Sequence, residues 1–579
     1  MRTNNFLSAV ISAVCLVCTI SPIVRGQAVD VKPGAATAPP HRSWPSDALQ
    51  QSANLAITDA GMRADISFLA DDLLEGRGPG TRGDLLAQRY IISQFGLLGL
   101  QTVLPDNKWV QDVPMVGITS RPPEFLNFQF ESKSLPLKFR DDFIMSNGQG
   151  VDGAKFENAE LVFVGYGIQA PEFGWDDFKD CDVAGKILVV MNNDPADDPE
   201  LFAGRTRLYY GRWDYKFKKA AAKGALGAFI IHTTPSAGYP FQVVQTSWTG
   251  EQMALSSELN QHPVFEGWLT EDASRKLVDL AGQDLDKLRT SAESRDFKPV
   301  PLGIKLSAAL PCLVRPRATG NVLAVLPGSD PELSKQFVVF MAHHDHLGQS
   351  EDRAENVDNI YNGAIDNASG VGSLLSIARA ITCLPEAERP KRSILFAAVG
   401  AEEQGLIGSK YLAQFPPVPS GRLAAVINID GINILGPTQD VVVVGLGKSS
   451  LDGIVERVAK FQERVVVGDQ FPDQGYYYRS DQFSLAKIGV PAVYLHPGIH
   501  VIGKPDGWGK QQLREWTDTI YHQPSDEYKT DWDLRGALQD TRLLFYVGLE
   551  AANQPDLPAW KPGDEFEAAR LAALAAIKP

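Results

Sequence analysis

The chain has 579 residues, 44% of them hydrophobic and 22% charged, with a formal net charge of −15. That balance is globular and excludes a disordered or collagen-like chain, and the length suits roughly two or three domains. The acidic excess is repelled by phosphate backbones, so no nucleic-acid partner is expected.

Arg2 followed by the apolar run 6–20 is too short to span a bilayer and reads as a signal peptide, 1–26. No later run is long enough for a transmembrane helix. The expectation is an exported protein, periplasmic or secreted, with no stable membrane insertion after cleavage. Loss of Arg2 and Arg25 takes the charge from −15 to −17. Cys15 and Cys18 leave with the signal, so Cys181, Cys312 and Cys383 allow at most one disulfide.

Residues 27–56, with Pro39 and Pro40, read as a linker. Residues 57–154 read as the first part of the main domain. Met62, Ile66 and Leu69 form one helical stripe, and Ala87, Tyr90, Ile91, Phe95 and Leu98 form another. Between them, 75–84 is a Gly-rich loop. Residues 155–310 carry short apolar strands and read as a separate insert. From 311 to 555 strands are expected at 322–326, 337–342, 393–399, 424–429, 441–444 and 492–495, with helices between. That alternation predicts an α/β fold: a mixed, mostly parallel central sheet sandwiched by helices. Residues 556–579 are a tail with an Ala-rich helix.

Three of the nine histidines, His343, His344 and His346, surround Asp345 directly after an apolar strand. Glu402 and Glu403 follow a second strand, Asp430 closes a third, Asp366 precedes a helix, and His522 lies far downstream. Taken singly, each has an ordinary reading; Asp366 alone would be a helix N-cap. Jointly, they gather carboxylates and imidazoles where open α/β sheets bind ligands. Repelling carboxylates gathered at one edge need a cation, and this donor set suits zinc and its neighbours.

The segments MAHHDHLG, NGAIDNASG, VGAEEQGLIGS, INIDG and YHQPSD, in that order, resemble the signatures of the co-catalytic di-zinc exopeptidases. That family includes secreted bacterial aminopeptidases and glutamate carboxypeptidase. LVFVGYGIQAPEFGWDD with VAGKILVV resembles the β-rich protease-associated domain inserted in many members, and LLEGRGPGT the family's N-terminal segment. The resemblance implies the zinc exopeptidase fold and two Zn2+, or another divalent transition metal. It implies His343 and Asp430 as ligands on one side, Glu403 and His522 on the other, and Asp366 bridging. It makes Glu402 the general base and Asp345 the carboxylate that orients a ligand imidazole. Tyr476, Tyr477 and Tyr478 are open candidates for an oxyanion donor. His346 is taken as a polar neighbour. His344 stands where the family often has Tyr, and Gln482 where many members have His. The implied activity is hydrolysis of the N-terminal residue of peptides. The alternatives are a carboxypeptidase of the same fold, a glutaminyl cyclase-like enzyme and a non-catalytic receptor-like protein.

Overall fold

Strands Ser393–Val399 and Leu423–Asn428 are buried at every position, as parallel strands covered on both faces must be. In the computed structural model, which describes residues 44–577 apart from 152, 197, 199, 200 and 351–356, they lie inside a nine-stranded mixed sheet. Its order is Glu251–Leu255, Val110–Ser120, Cys312–Leu326, Ser393–Val399, Phe337–His343, Leu423–Asn428, Ala492–His496, Asp440–Val443, Val465–Gly468. The centre, from Ser393–Val399 to Ala492–His496, is parallel. Antiparallel pairs flank it on both sides.

Alternation along Phe337–His343 divides the two helical layers. Val338, Phe340 and Ala342 join the cluster that includes Val371, Leu374 and Leu544, while Val339 and Met341 join Leu412 and Leu485. Helix Gly370–Thr382 packs on this strand and against Asp47–Ala56, Asp59–Leu69 and Arg535–Asn553.

A second, eight-stranded sheet is built mainly from the 155–310 segment. It also takes in Phe125–Phe130, Lys133–Lys138 and Phe143–Asn147, upstream of the expected boundary at 155. In return, Glu251–Leu255 leaves that segment and pairs with Val110–Ser120 in the first sheet. The expected linker 27–56 ends in a helix, Asp47–Ala56, whose Leu49, Ser52 and Ala53 are buried. The tail helix spans Glu567–Ala576. Cys181, Cys312 and Cys383 are free thiols. The signal-peptide reading of 1–26 lies outside the described residues. No helix among the described residues is long and apolar enough to cross a membrane.

Candidate metal centre

The parallel centre of the sheet delivers its polar residues to one edge. His343 ends its strand, Asp430 follows Leu423–Asn428, and Glu402 and Glu403 follow Ser393–Val399. Asp366 lies in the turn before helix Gly370–Thr382, and His522 follows helix Trp508–Thr519. All of them meet. His343 Nε2 lies 3.2 Å from Asp366 Oδ1 and 3.3 Å from Asp430 Oδ1. His522 Nε2 lies 3.4 Å from Asp366 Oδ2 and 2.9 Å from Glu403 Oε2. The two oxygens of Asp366 therefore face the two histidines separately.

Asp345 is buried beneath this cluster, its carbonyl oxygen 3.3 Å and its carboxylate 3.7 Å from His343 Nδ1. Its carboxylate accepts the backbone N–H of Glu402 at 3.0 Å and of Glu403 at 3.4 Å, fixing the loop that carries both. Burial pushes its carboxyl up to about 6. Burial also pushes Glu402 well above the usual carboxylate range; His343 opposes this and the like charge of Glu403 adds to it. Burial and Asp366 push Glu403 up too, but His522 and His346 outweigh them and hold it at about 2. The neighbouring glutamates are thus driven in opposite directions by their surroundings.

His346 is closer to the centre than its sequence position suggested. Its Nδ1 lies 2.6 Å from Glu403 Oε1, and it belongs with Asp366 and Glu403 to a group whose ligand atoms lie within 4.8 Å of one another. His344 turns away and pairs with Asp84 at 2.9 Å, and Asp84 also accepts from Thr319 at 2.7 Å. Gln482 accepts from Asn428 at 2.9 Å and donates to the Tyr477 carbonyl at 2.8 Å. The two departures from the family pattern are therefore supports behind the site. His500 lies 3.2 Å from Asp440, and His496 lies 3.0 Å from the Tyr494 hydroxyl.

Three supporting residues carry no spacing signal and escape sequence reasoning. Arg77 is fully buried and donates to the carbonyls of Leu69, His344, Asn362 and Gly363 at 2.5, 2.8, 2.6 and 2.9 Å. Burial lowers its pKa to about 10 against the pull of Asp345, Asp526, Asp366 and Glu403. Asp526 accepts the N–H groups of Ile365 and Asp366 at 2.9 and 3.0 Å. Ser480 donates to Asp430 Oδ2 at 2.6 Å. Arg77 and Asp526 lie in segments already quoted for the resemblance, LLEGRGPGT and YHQPSD, without a role being read for either, and Ser480 lies in none of them.

A cavity of about 450 Å3 opens beside the cluster. Asp366, Glu402 and Asp430 form its polar wall, and Ile432, Ile434, Leu435, Leu513 and Trp516 an apolar one. Tyr476 lines it too. Tyr477 and Tyr478 pack instead with Phe483, Trp560 and Phe566, and the Tyr478 hydroxyl donates to Glu565 at 2.7 Å.

The residues fit a pair of divalent cations. His343, Asp366 and Asp430 form one group of converging donors, and His346, Asp366 and Glu403 another, with Asp366 common to both. His522 Nε2, buried between Asp366 and Glu403, makes no well-formed hydrogen bond to either. A ring nitrogen held among carboxylate oxygens in that way is suited to a cation.

A mixed sheet with this donor set at the ends of its parallel strands is suited to metal-assisted hydrolysis. Residues 321–546 match the sequence model of peptidase family M28. The chain is 30% identical over 173 residues to aminopeptidase NAALADL1 of Mus musculus, covering 28% of this chain and 21% of that protein. It is 46% identical over 68 residues to a probable zinc metalloprotease of Pyrenophora tritici-repentis, covering 12% of this chain and 15% of that one. The matches thus span only about a fifth or less of the length of these two relatives. In fold the chain is similar to an aminopeptidase from Aneurinibacillus sp. strain AM-1, with a TM-score of 0.50, 18% identity, and 89% and 98% of the two chains covered.

Proposed function

We propose that the protein is a di-zinc exopeptidase that removes the N-terminal residue of peptides. The observation that carries this is the position of Asp366, common to two converging donor groups, with one oxygen toward His343 and the other toward His522. His343 and Asp430 would hold one ion, Glu403 and His522 the other, and Asp366 both. Zinc, or another divalent transition metal in its place, would supply Lewis acidity to the scissile carbonyl and to the attacking water. Glu402 takes the proton from that water and passes it to the leaving amine. His346 orients Glu403, Asp345 holds the Glu402–Glu403 loop, and Tyr476, alone of the three tyrosines in lining the cavity, donates to the developing oxyanion. The acidic wall suits a free amino terminus, and the apolar wall suits a hydrophobic first side chain.

One observation favours a carboxypeptidase as the second reading. Arg479 lines the same cavity, its guanidinium 5.1 Å from the Tyr239 ring and 5.2 Å from the Tyr476 ring, where it could meet a substrate carboxylate. Hydrolysis of one peptide with its amino terminus free or blocked, each with and without chelator, separates the two. Chelator-sensitive release of the first residue from the free peptide alone supports the aminopeptidase. Cleavage of the blocked peptide from its carboxyl end assigns the carboxypeptidase. Binding of metal without cleavage of either sends the assignment to the cyclase or receptor-like alternatives.

The same reading takes 155–310 as a protease-associated domain that narrows access to short peptides, and 1–26 as a signal for export. Amino-terminal sequencing of protein recovered outside the cytoplasm tests the latter; a retained Met1 would refute it.

A further inference from the structure

The two histidines on the proposed metals are oriented by different parts of the chain. His343 Nδ1 lies 3.3 Å from the carbonyl of Asp345, in its own loop. His522 Nδ1 lies 2.9 Å from Ser247 Oγ, 275 residues away. Ser247 ends helix Phe241–Ser247, within the segment that builds the second sheet. It is held in place from its carboxyl side. Four residues on, Glu251–Leu255 crosses to the first sheet and pairs with Val110–Ser120, Glu251 opposite Thr119 and Leu255 opposite Met115. Within that strand, the N–H of Met253 donates to Gln404 Oε1 at 2.9 Å, beside Glu403. One stretch of seven residues thus touches the side chain of His522 and the neighbour of Glu403.

A neutral imidazole carries its proton on one nitrogen, and the partner of that nitrogen decides which. For Nε2 to present a lone pair to a cation, Nδ1 must carry the proton. Its partner must therefore accept, which a serine hydroxyl can do. Glu403 Oε2 and Asp366 Oδ2 flank Nε2, so that nitrogen already faces the donor cluster.

We infer that Ser247 is a positioning residue for His522, and that filling of the metal position on the His522–Glu403 side depends on the second-sheet segment being seated. This rests on the reading of His522 as a ligand. Ser247 does not touch substrate; it fixes the tautomer and the ring plane of a ligand.

The test uses the full chain, loaded with zinc and titrated against a chromogenic chelator. The wild type is expected to hold two ions. Ser247→Ala is expected to hold one with wild-type affinity and to bind the other roughly 10- to 100-fold more weakly, the range typical of lost outer partners. Ser247→Thr, which keeps the hydroxyl, is expected to restore both. The metal-free melting temperatures of wild type and Ser247→Ala are expected to coincide, so the loss is not one of folding. Two ions of unchanged affinity in Ser247→Ala would overturn the inference while leaving the di-metal reading intact. Two ions retained in His522→Ala would overturn the ligand reading beneath it, and this inference with it.

Discussion

Glu402 is half-buried beside Glu403 and His343, and desolvation holds its carboxyl well above the usual range. A group in that state takes a proton from water and keeps it long enough to hand it to an amine. Glu402 converges with His343 and Glu403, but it is in neither of the two donor groups that share Asp366. Glu402→Gln should therefore bind metal as the wild type does while kcat falls roughly a hundred- to ten-thousand-fold. Metal content and kcat measured on the same preparation check this; a parallel fall in metal would place Glu402 among the ligands. Arg77 poses the opposite case, a residue far from substrate on which the site rests. Arg77→Met leaves four buried carbonyls without their donor, at a cost of at least about 3 kcal/mol by urea melts. Wild-type stability in that variant would mean that water replaces the guanidinium. The contrast between these two residues explains what could be read beforehand. His343, Asp366, Glu402, Glu403, Asp430 and His522 each sit in a short segment tied to a strand end or a turn, and the structure gathers all of them. Arg77, Asp526 and Ser247 act through carbonyls, amides and a partner distant in sequence, and such contacts leave no periodicity or spacing.

The strands of the parallel centre were readable because burial on both faces demands unbroken apolar runs, as in 393–399 and 424–429. Val110–Ser120 was not, because Pro114 and Gly117 interrupt its alternation and its partners lie far along the chain. The three upstream strands of the second sheet were missed for a related reason: Lys133–Lys138 exposes most of its residues and reads as loop. Elements also carry their own sensitivities. Gly370 begins the helix behind Asp366, and a Cβ there would lie 2.0 Å from Asn367 Oδ1 and 2.6 Å from the Ile429 carbonyl. Asn367 Oδ1 accepts the N–H groups of Gly370 and Gly431, tying the Asp366 turn to the Asp430 turn. Gly370→Ala should cost about 1–3 kcal/mol by overpacking and weaken metal retention with it; full retention would show that the two turns are not coupled. In the second sheet, His232 follows Gly227–Ile231, donates to the Tyr239 carbonyl at 3.1 Å and packs on Phe241 and Trp268. Burial lowers its pKa from 6.5 to about 4. The unfolded chain takes up this proton below about pH 6.5, while the folded imidazole resists until about pH 4. The stability it contributes is whole above pH 6.5 and is lost as pH falls, by about 3 kcal/mol in all. In His232→Phe that loss should vanish, so the stability difference from wild type, by urea melts, should change by about 3 kcal/mol between pH 7 and pH 4. A pH-independent difference would remove the burial argument.

For the whole molecule, the exchange of strands between the two sheets decides how the chain can be divided. The second sheet draws Phe125–Asn147 from upstream of the 155 boundary, and the first sheet draws Glu251–Leu255 from inside the insert. Excision of 155–310 would therefore leave Leu126, Phe128, Phe143 and Met145, buried to 2% exposure or less, without the layer that covers them. An uncovered apolar surface of that kind drives association. The division that follows the hydrogen bonds is elsewhere. Ser120 and Cys312 are directly paired across antiparallel strands, and the N–H of Arg121 donates to the Pro311 carbonyl at 2.8 Å. Removal of 121–311, with a two-residue Asn-Gly turn joining Ser120 to Cys312, closes a hairpin that the existing register already permits. Val110–Ser120 then becomes an edge, blunted by Asp112 and Pro114. The expected outcome, by size-exclusion chromatography with light scattering, is a monomer from the 121–311 deletion and aggregates from the 155–310 deletion. The monomer should also bind its second metal roughly 10- to 100-fold more weakly than the intact chain, because Ser247 leaves with the excised segment. A monomeric 155–310 deletion beside an aggregated 121–311 deletion would show that the upstream strands belong with the first sheet and that the strand exchange does not govern folding.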